Sequence, residues 1–247
     1  MPEISIQAEE LFRIGHWPIT NALLLSFVSL IVLVGLGFLI KSKIKIIPGK
    51  LQGFFELVGE EILKIMDAVL GNRKTSEKYL PLVATIFLFI LTSNWLGLLP
   101  GIGSIGLLAE HHGEKALIPL FRSPASDLNF TIILAIISVI SVNVLGIIAI
   151  GFKRHASKFF NFKNPIFSFA GILEFISEFV KIISFSFRLF GNVFAGEVLL
   201  TIIGFLIPFI LPLPFLFLEV FVGLIQSFIF AMLTLVFIGM ATAKEAH

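Results

Sequence analysis

Cysteine is absent from the chain, which excludes disulfides, thiolate metal sites and a cysteine nucleophile. Charge is scarce: of 247 residues, 18 are Lys or Arg and 16 are Asp or Glu, 14% in all, against roughly 25% in an ordinary soluble domain. Aliphatic residues and 29 Phe stand in their place, and the mean hydropathy is +1.03. Too few polar residues remain to coat a soluble globule of this size, so the bilayer is the solvent to assume. A formal net charge of +2 is too mild to point to nucleic acid, and no nucleic-acid partner is expected. The sequence contains no glycine-rich phosphate loop and no HExxH, and its apolar runs hold no His. Nucleotide chemistry and metal-assisted catalysis therefore have no visible constellation; neither a cofactor, a metal nor a catalytic centre of its own is expected. The short alternating segments of a membrane barrel are missing as well.

What is present is a series of long apolar runs. The amino terminus is acidic (Glu3, Glu9, Glu10) and lacks the basic start of a secretory signal, and the first run is followed by Lys41, Lys43 and Lys45. That pattern predicts a retained membrane helix. The expected organisation is a single membrane domain over 1–247: an amino-terminal segment 1–18, a helix 19–40, a segment 41–78, a helix 80–99, a loop 101–127, a helix 128–152, and two long helices at 165–207 and 215–242. Polar residues recur beside Phe54, Phe55, Leu57 and Val58, which makes 49–70 an amphipathic helix on the membrane surface. Asn164 followed by Pro165 is a helix-start signal. The fold class is thus an all-α integral membrane protein with five membrane helices and one surface helix.

Lys and Arg sort by loop. Eight lie between Lys41 and Lys78 and four between Lys153 and Lys163, whereas the amino terminus has Arg13 and the 101–127 loop has Lys115 and Arg122. The basic segments are expected on the cytoplasmic side, which puts the amino terminus and the His111–His112 loop outside and the carboxyl terminus inside. These two histidines adjoin each other in a polar loop and read as solvated.

The fourth run, 43 residues without an internal proline, would extend about 64 Å at 1.5 Å per residue, about twice the 30 Å hydrocarbon core. It must break or lie far from the membrane normal. The last run is overlong too, and a strongly tilted hairpin turning at Pro208, Pro212 and Pro214 accounts for both lengths.

Ionisable residues inside membrane helices are costly and are the first place to seek function. The last two runs hold Glu174, Glu178, Lys181, Arg188, Glu197 and Glu219, with Asn192 and Gln226 beside them. Projected at 100° per residue, Glu174, Ser177, Lys181, Ser184 and Asn192 fall within about 40° of Arg188, whereas Glu197 falls on the opposite face about 13.5 Å further along. Glu219 and Gln226 share one face of the last helix, and in an antiparallel hairpin Glu219 can meet Glu197. Two carboxyls in a low-dielectric site do not both ionise readily, so the pair is a candidate proton relay. Arg188 cannot relay a proton, but it can attract a carboxylate and separate two polar paths. Other roles stay open at this stage: Glu174, Glu178 and Lys181 are placed to snorkel to water, Asn192 and Gln226 to bond neighbouring helices, and Asp127 to cap the third helix.

The segment Ser186 to Glu197, SFRLFGNVFAGE, resembles the signature helix of the a-subunit family of F-type ATP synthases. The segments Leu91 to Gly101, Pro124 to Asn129 with Thr131, and Gln226-Ser-Phe-Ile-Phe are similar to that family as well. The resemblance implies that Arg188 is the essential stator arginine facing the carboxylate of the c-ring rotor. It implies that Glu197, Glu219, Asn192, Gln226 and Asp127 line a half-channel open to the outside, and that Glu174, Ser177, Glu178 and Lys181 border one open to the cytoplasm. Where some bacterial relatives carry His, Glu219 stands here, so the outer relay is expected to be built of carboxylates. The implied partners are the c-ring, peripheral-stalk b subunits and other ATP synthase subunits. The implied location is the bacterial inner (plasma) membrane, and the implied function is coupling of proton translocation to ATP synthesis. An ion-coupled secondary transporter with a charged midplane site is the alternative reading, although the two halves of the chain lack the internal repeat such proteins show.

Overall fold

The computed structural model describes residues 8–42, 44–45, 48–99, 105–111, 114–159, 165–207 and 210–243. Asn164, Pro208 and His112 lie outside them. Among the described residues seven α-helices dominate: α1 (Asn21–Ser42), α2 (Lys50–Leu70), α3 (Arg73–Gly97), α4 (Leu128–Ile150), α5 (Phe152–Ala156), α6 (Pro165–Leu206) and α7 (Pro212–Thr242). Five stretches within α1, α3, α4, α6 and α7 are long and apolar enough to cross a membrane. Two short antiparallel hairpins, β1 (Glu10–Ile14) with β2 (Trp17–Thr20) and β3 (Gly106–His111) with β4 (Glu114–Pro119), stand beside the helices of the expected all-α membrane fold. Both flank membrane helices, where backbone outside the apolar core must find its own hydrogen bonds.

Local chemistry sets the helix ends. The Asn72 side chain accepts from the Lys74 N–H, so α3 starts at Arg73, inside the stretch read from the sequence as a surface segment. The Asp127 carboxylate accepts from the Asn129 N–H at 3.0 Å and starts α4. Gly151, at φ +87°, makes the turn that ends α4 and folds α5 back, a conformation that L side chains rarely adopt. The fourth apolar run is one unbroken helix of 42 residues, which removes the broken-helix alternative.

The core lies where α3, α4, α6 and α7 meet. At one level Met66 of α2, Tyr79 and Val83 of α3, and Leu235 and Ile238 of α7 interlock. At the next, Ile86 and Ile90 pack with Ala135, Phe185, Leu189 and Phe230. Contacts of Lys181 with Phe237, Asn192 with Gln226 and Gly196 with Glu219 show α6 and α7 running antiparallel. Buried hydroxyl pairs, Thr131 with Ser186 at 3.0 Å and Ser138 with Thr234 at 2.8 Å, tie α4 to both long helices. One face of α2 enters this core through Leu63 and Met66, while Phe54 and Leu57 stay exposed, so the amphipathic helix has a protein side as well as an open one.

Candidate functional site: two polar cavities along the long helices

The side chains singled out on α6 and α7 gather in two places. The first is a cavity of about 170 Å³ lined by Asn94 and Gly97 of α3, Ser123, Glu197 of α6, and Glu219 and Gly223 of α7. Glu197 and Glu219 therefore face one space, as the hairpin geometry predicts. Glu219 is 7% exposed, and its carboxyl rests against Gly196, where a Cβ would occupy the same space. Only glycine at that position lets the α7 carboxyl sit between the helices.

Glu197 has a partner that the sequence did not reveal. The Arg122 guanidinium lies 3.2 Å from its carboxylate and donates to Ser126 Oγ at 3.1 Å; the Arg122 side chain is 9% exposed. As one basic residue in a polar loop, Arg122 reads as a sidedness marker, and its only other signal is that it stands two residues before the Pro124–Asn129 block. The two carboxyls line the cavity, and a fixed cation outside its lining is paired with one of them.

Further along α7, Gln226 is buried and accepts a 2.6 Å hydrogen bond from Asn192 Nδ2. Asn94 Nδ2 reaches the Gly223 carbonyl at 3.5 Å, and Trp95 Nε1 donates to the Val220 carbonyl at 3.1 Å. Gln226 Nε2, Asn94 Oδ1 and Ser123 Oγ are buried without a protein partner among the described residues, and groups of this kind bind water in membrane interiors as in soluble cores. Asp127 is also buried, and its visible work is the cap of α4.

The second cavity, about 610 Å³, is lined by Asn143 of α4, His155 of α5, Glu174, Glu178 and Lys181 of α6, and Phe237 of α7 among others. Lys181 Nζ pairs with Glu178 at 2.6 Å, both side chains 18% exposed, and lies over the Phe237 ring. Ser177 turns its hydroxyl onto the Glu174 carbonyl at 2.7 Å. Arg188 stands between the two cavities on the exposed face of α6, outside the lining of either, and donates to Ser184 Oγ at 3.3 Å. Its neighbours Gly191, Asn192 and Ala195 are exposed too, leaving a shallow, small-residue face around a permanent positive charge.

An almost entirely helical integral membrane protein, with ionisable side chains in two cavities on either side of an exposed arginine, is the class that fold and site define. The family described as ATP synthase A chain matches residues 23–239, and the chain belongs to that family. Among curated relatives it is 33% identical to the ATP synthase subunit a of Moorella thermoacetica, over 95% of this chain and 96% of that one. It is 34% identical to the subunit a of Campylobacter concisus over 89% and 88%, and 33% identical to that of Gloeobacter violaceus over 92% and 85%.

Proposed function

We propose that this chain is the stationary proton-conducting subunit of a rotary ATP synthase. It gives protons access to a rotor carboxylate from two sides of the membrane and keeps the two routes apart with Arg188. The observation that carries the reading is the placement of polar groups on one continuous helix: a cavity with Glu197 and Glu219 on one side of Arg188, a cavity with Glu174, Glu178 and Lys181 on the other, and the guanidinium on an open face between them.

Each part has a physical role. Protons enter from outside by way of Glu197 and Glu219 and pass along Gln226 and Asn192 to neutralise a carboxylate on the c-ring. Asp127 borders this outer route. Returned to Arg188, the rotor carboxylate releases its proton, because a fixed positive charge favours the ionised form. The proton leaves along Lys181, Glu178, Ser177 and Glu174 to the cytoplasm. Guanidinium stays protonated at physiological pH, so no proton crosses directly from one route to the other. The electrical driving force is about 2.3 kcal/mol per charge per 100 mV. At about 63 Å, α6 is too long to stand upright in a hydrocarbon core of about 30 Å, which supports a strongly tilted α6–α7 pair. The basic segments around α2 and α5 support a cytoplasmic placement for that side, with the amino terminus outside, in a bacterial inner (plasma) membrane. Peripheral-stalk b subunits and the remaining ATP synthase subunits complete the partners, and nucleotide chemistry resides in them.

The test is proton flux in vesicles holding the assembled complex. Arg188→Ala should abolish ATP-driven pumping, and this chain without the rotor ring should conduct no protons. Flux through the chain alone, undiminished by Arg188→Ala, refutes the reading.

A further inference from the structure

The Glu178 cavity contains a titratable group that the mechanism above does not use. His155, on α5, is 6% exposed, and its Nε2 lies 3.0 Å from Asn143 Oδ1. Asn143 Nδ2 donates to Glu178 Oε2 at 3.0 Å and to the Val139 carbonyl at 2.9 Å. These two bonds fix the amide with nitrogen toward Glu178 and oxygen toward His155. An amide oxygen only accepts, so His155 carries its proton on Nε2, and Nδ1 of the neutral ring is a bare lone pair. Nδ1 is buried with no protein partner among the described residues. It lies against Gly146, where a Cβ would come within 2.9 Å of the ring Cε1 and 3.0 Å of Nδ1. The ring therefore sits in a cradle that glycine opens, with one edge bonded and the other buried without an acceptor among the described residues.

The charges around it are mixed. Lys153 and Arg154 share its short helix and Lys158 follows; α6 presents Glu174, Glu178 and Lys181; α4 and the described end of α7 bring no charged side chain to it. Burial above all, and then Lys158, hold the imidazole below the ordinary histidine range, against the opposing pull of Glu178 and Glu174.

We propose that His155 is a positioning residue of the cytoplasmic route. Its neutral imidazole holds the Asn143 amide, and through it the Glu178 carboxylate beside Lys181, and protonation at Nδ1 from the cytoplasmic side breaks this chain and slows proton transfer. A proton added at Nδ1 finds no acceptor in its buried position, so the imidazolium must turn toward the cavity to be solvated. Asn143 then loses the bond that orients it, and Glu178 loses one of its anchors. The effect is a brake that engages as the cytoplasmic side acidifies. It rests on the reading of this cavity as the cytoplasmic route.

The test uses inverted vesicles with the whole complex, the cytoplasmic face outward, and measures the initial rate of ATP-driven proton uptake as the medium is taken from about pH 7.5 to about pH 5.5, across the histidine range. The unaltered complex should lose rate as the medium acidifies, with the loss falling on the acid side of the ordinary histidine range because burial holds the imidazole there. His155→Gln keeps an amide N–H where Nε2 was and cannot take up a proton, so it should pump at near the starting rate with the acid loss gone. His155→Asn places its amide at the Nδ1 position and His155→Leu has none; both should pump severalfold more slowly at every pH. An acid loss in His155→Gln equal to that of the unaltered complex overturns the proposal, as does equal pumping by the Gln, Asn and Leu variants. Failure of the parent reading shows itself separately, as pumping that survives Arg188→Ala, whereas failure of the brake is seen with Arg188 intact.

Discussion

Gly196→Ala separates the packing role of the α6–α7 contact from its conducting role. The added methyl falls where the Glu219 carboxyl now lies. Glu219 is attached by a flexible side chain, so it can yield by leaving its rotamer at about 0.5–1.5 kcal/mol, rather than forcing the helices apart at about 1–3 kcal/mol. Replacing a helical glycine by alanine returns up to about 1 kcal/mol, so the net stability change should be close to zero. Conduction should respond very differently, because the carboxyl leaves its place in the 170 Å³ cavity beside Glu197. A misplacement of about 1 Å at a proton-transfer step costs on the order of 100-fold. The control is Gly204→Ala on the same helix, whose Cβ would meet nothing within 4 Å. The initial rate of ATP-driven proton pumping and thermal unfolding of the purified complex are the two readouts. Gly204→Ala should match the parent in flux, Gly196→Ala should unfold near the parent temperature and pump at least tenfold more slowly, and adding Glu219→Asp, one methylene shorter, should recover part of the rate. If Gly196→Ala pumps as fast as Gly204→Ala, Glu219 is not a working member of the route.

The Asn192–Gln226 bond and the α2–α3 clasp yield two further expectations. Asn192→Leu leaves the buried Gln226 oxygen without its donor and should cost about 1–3 kcal/mol. Gln226→Leu likewise leaves the Asn192 amide without its acceptor, and the double variant should be milder than the sum by about 1 kcal/mol; additivity within about 0.3 kcal/mol in thermal unfolding contradicts the bond. At the start of α3, the Arg73 guanidinium donates to Glu60 of α2 at 2.6 Å and 3.1 Å, and this hydrogen bonding holds the Glu60 carboxyl below its ordinary value of 4.5. A carboxyl lowered in the folded state contributes stability above its ordinary value and loses it as pH falls through the lowered one. Amide protection over residues 50–72, taken relative to the intrinsic exchange rate at each pH, should therefore fall below about pH 4.5 in the parent, and this acid response should flatten in Arg73→Gln; an unchanged response removes Glu60 from the clasp.

Those features that depend on spacing along one helix could be read before any coordinates. Apolar runs of about 20 residues or more fix the number of crossings, and the 100° projection puts Glu174, Lys181 and Arg188 on one face and Glu197 on the other. The meeting of Glu197 with Glu219 was legible because a hairpin turned at prolines has one natural register. Arg122 and His155 were not legible, since each reaches its partner across the fold: Arg122 is 75 residues from Glu197, and His155 reaches Glu178 only through Asn143 of α4. A buried His in a basic loop carries no periodic signal, and its burial comes from the turn at Gly151. The hairpins β1–β2 and β3–β4 escaped because they are short and flank far stronger helical patterns.

The proposed half-routes also explain why α7 must carry Glu219 and Gln226 on one face. Glu197 looks away from Arg188 on α6, and the backbone of an unbroken helix offers no way through. A proton arriving at Glu197 therefore has to pass around α6, and α7 supplies that passage. Glu219 contacts Gly196, and Gln226, seven residues or about 10.5 Å further along α7, bonds Asn192, which lies about 40° from Arg188 in projection. Gly196 leaves room for the carboxyl, and Gly223, whose Cβ would come within 3.2 Å of Asn94, lets α3 close over the passage. On the other side the polar line runs from Glu178 to Lys181 and then to Ser184, which already accepts from Arg188. Between Ser184 and Asn192 on this face stands only a guanidinium that never gives up its proton. The two routes therefore end on either side of Arg188 at a surface of small residues, and only a carboxylate carried past that surface by another chain can join them.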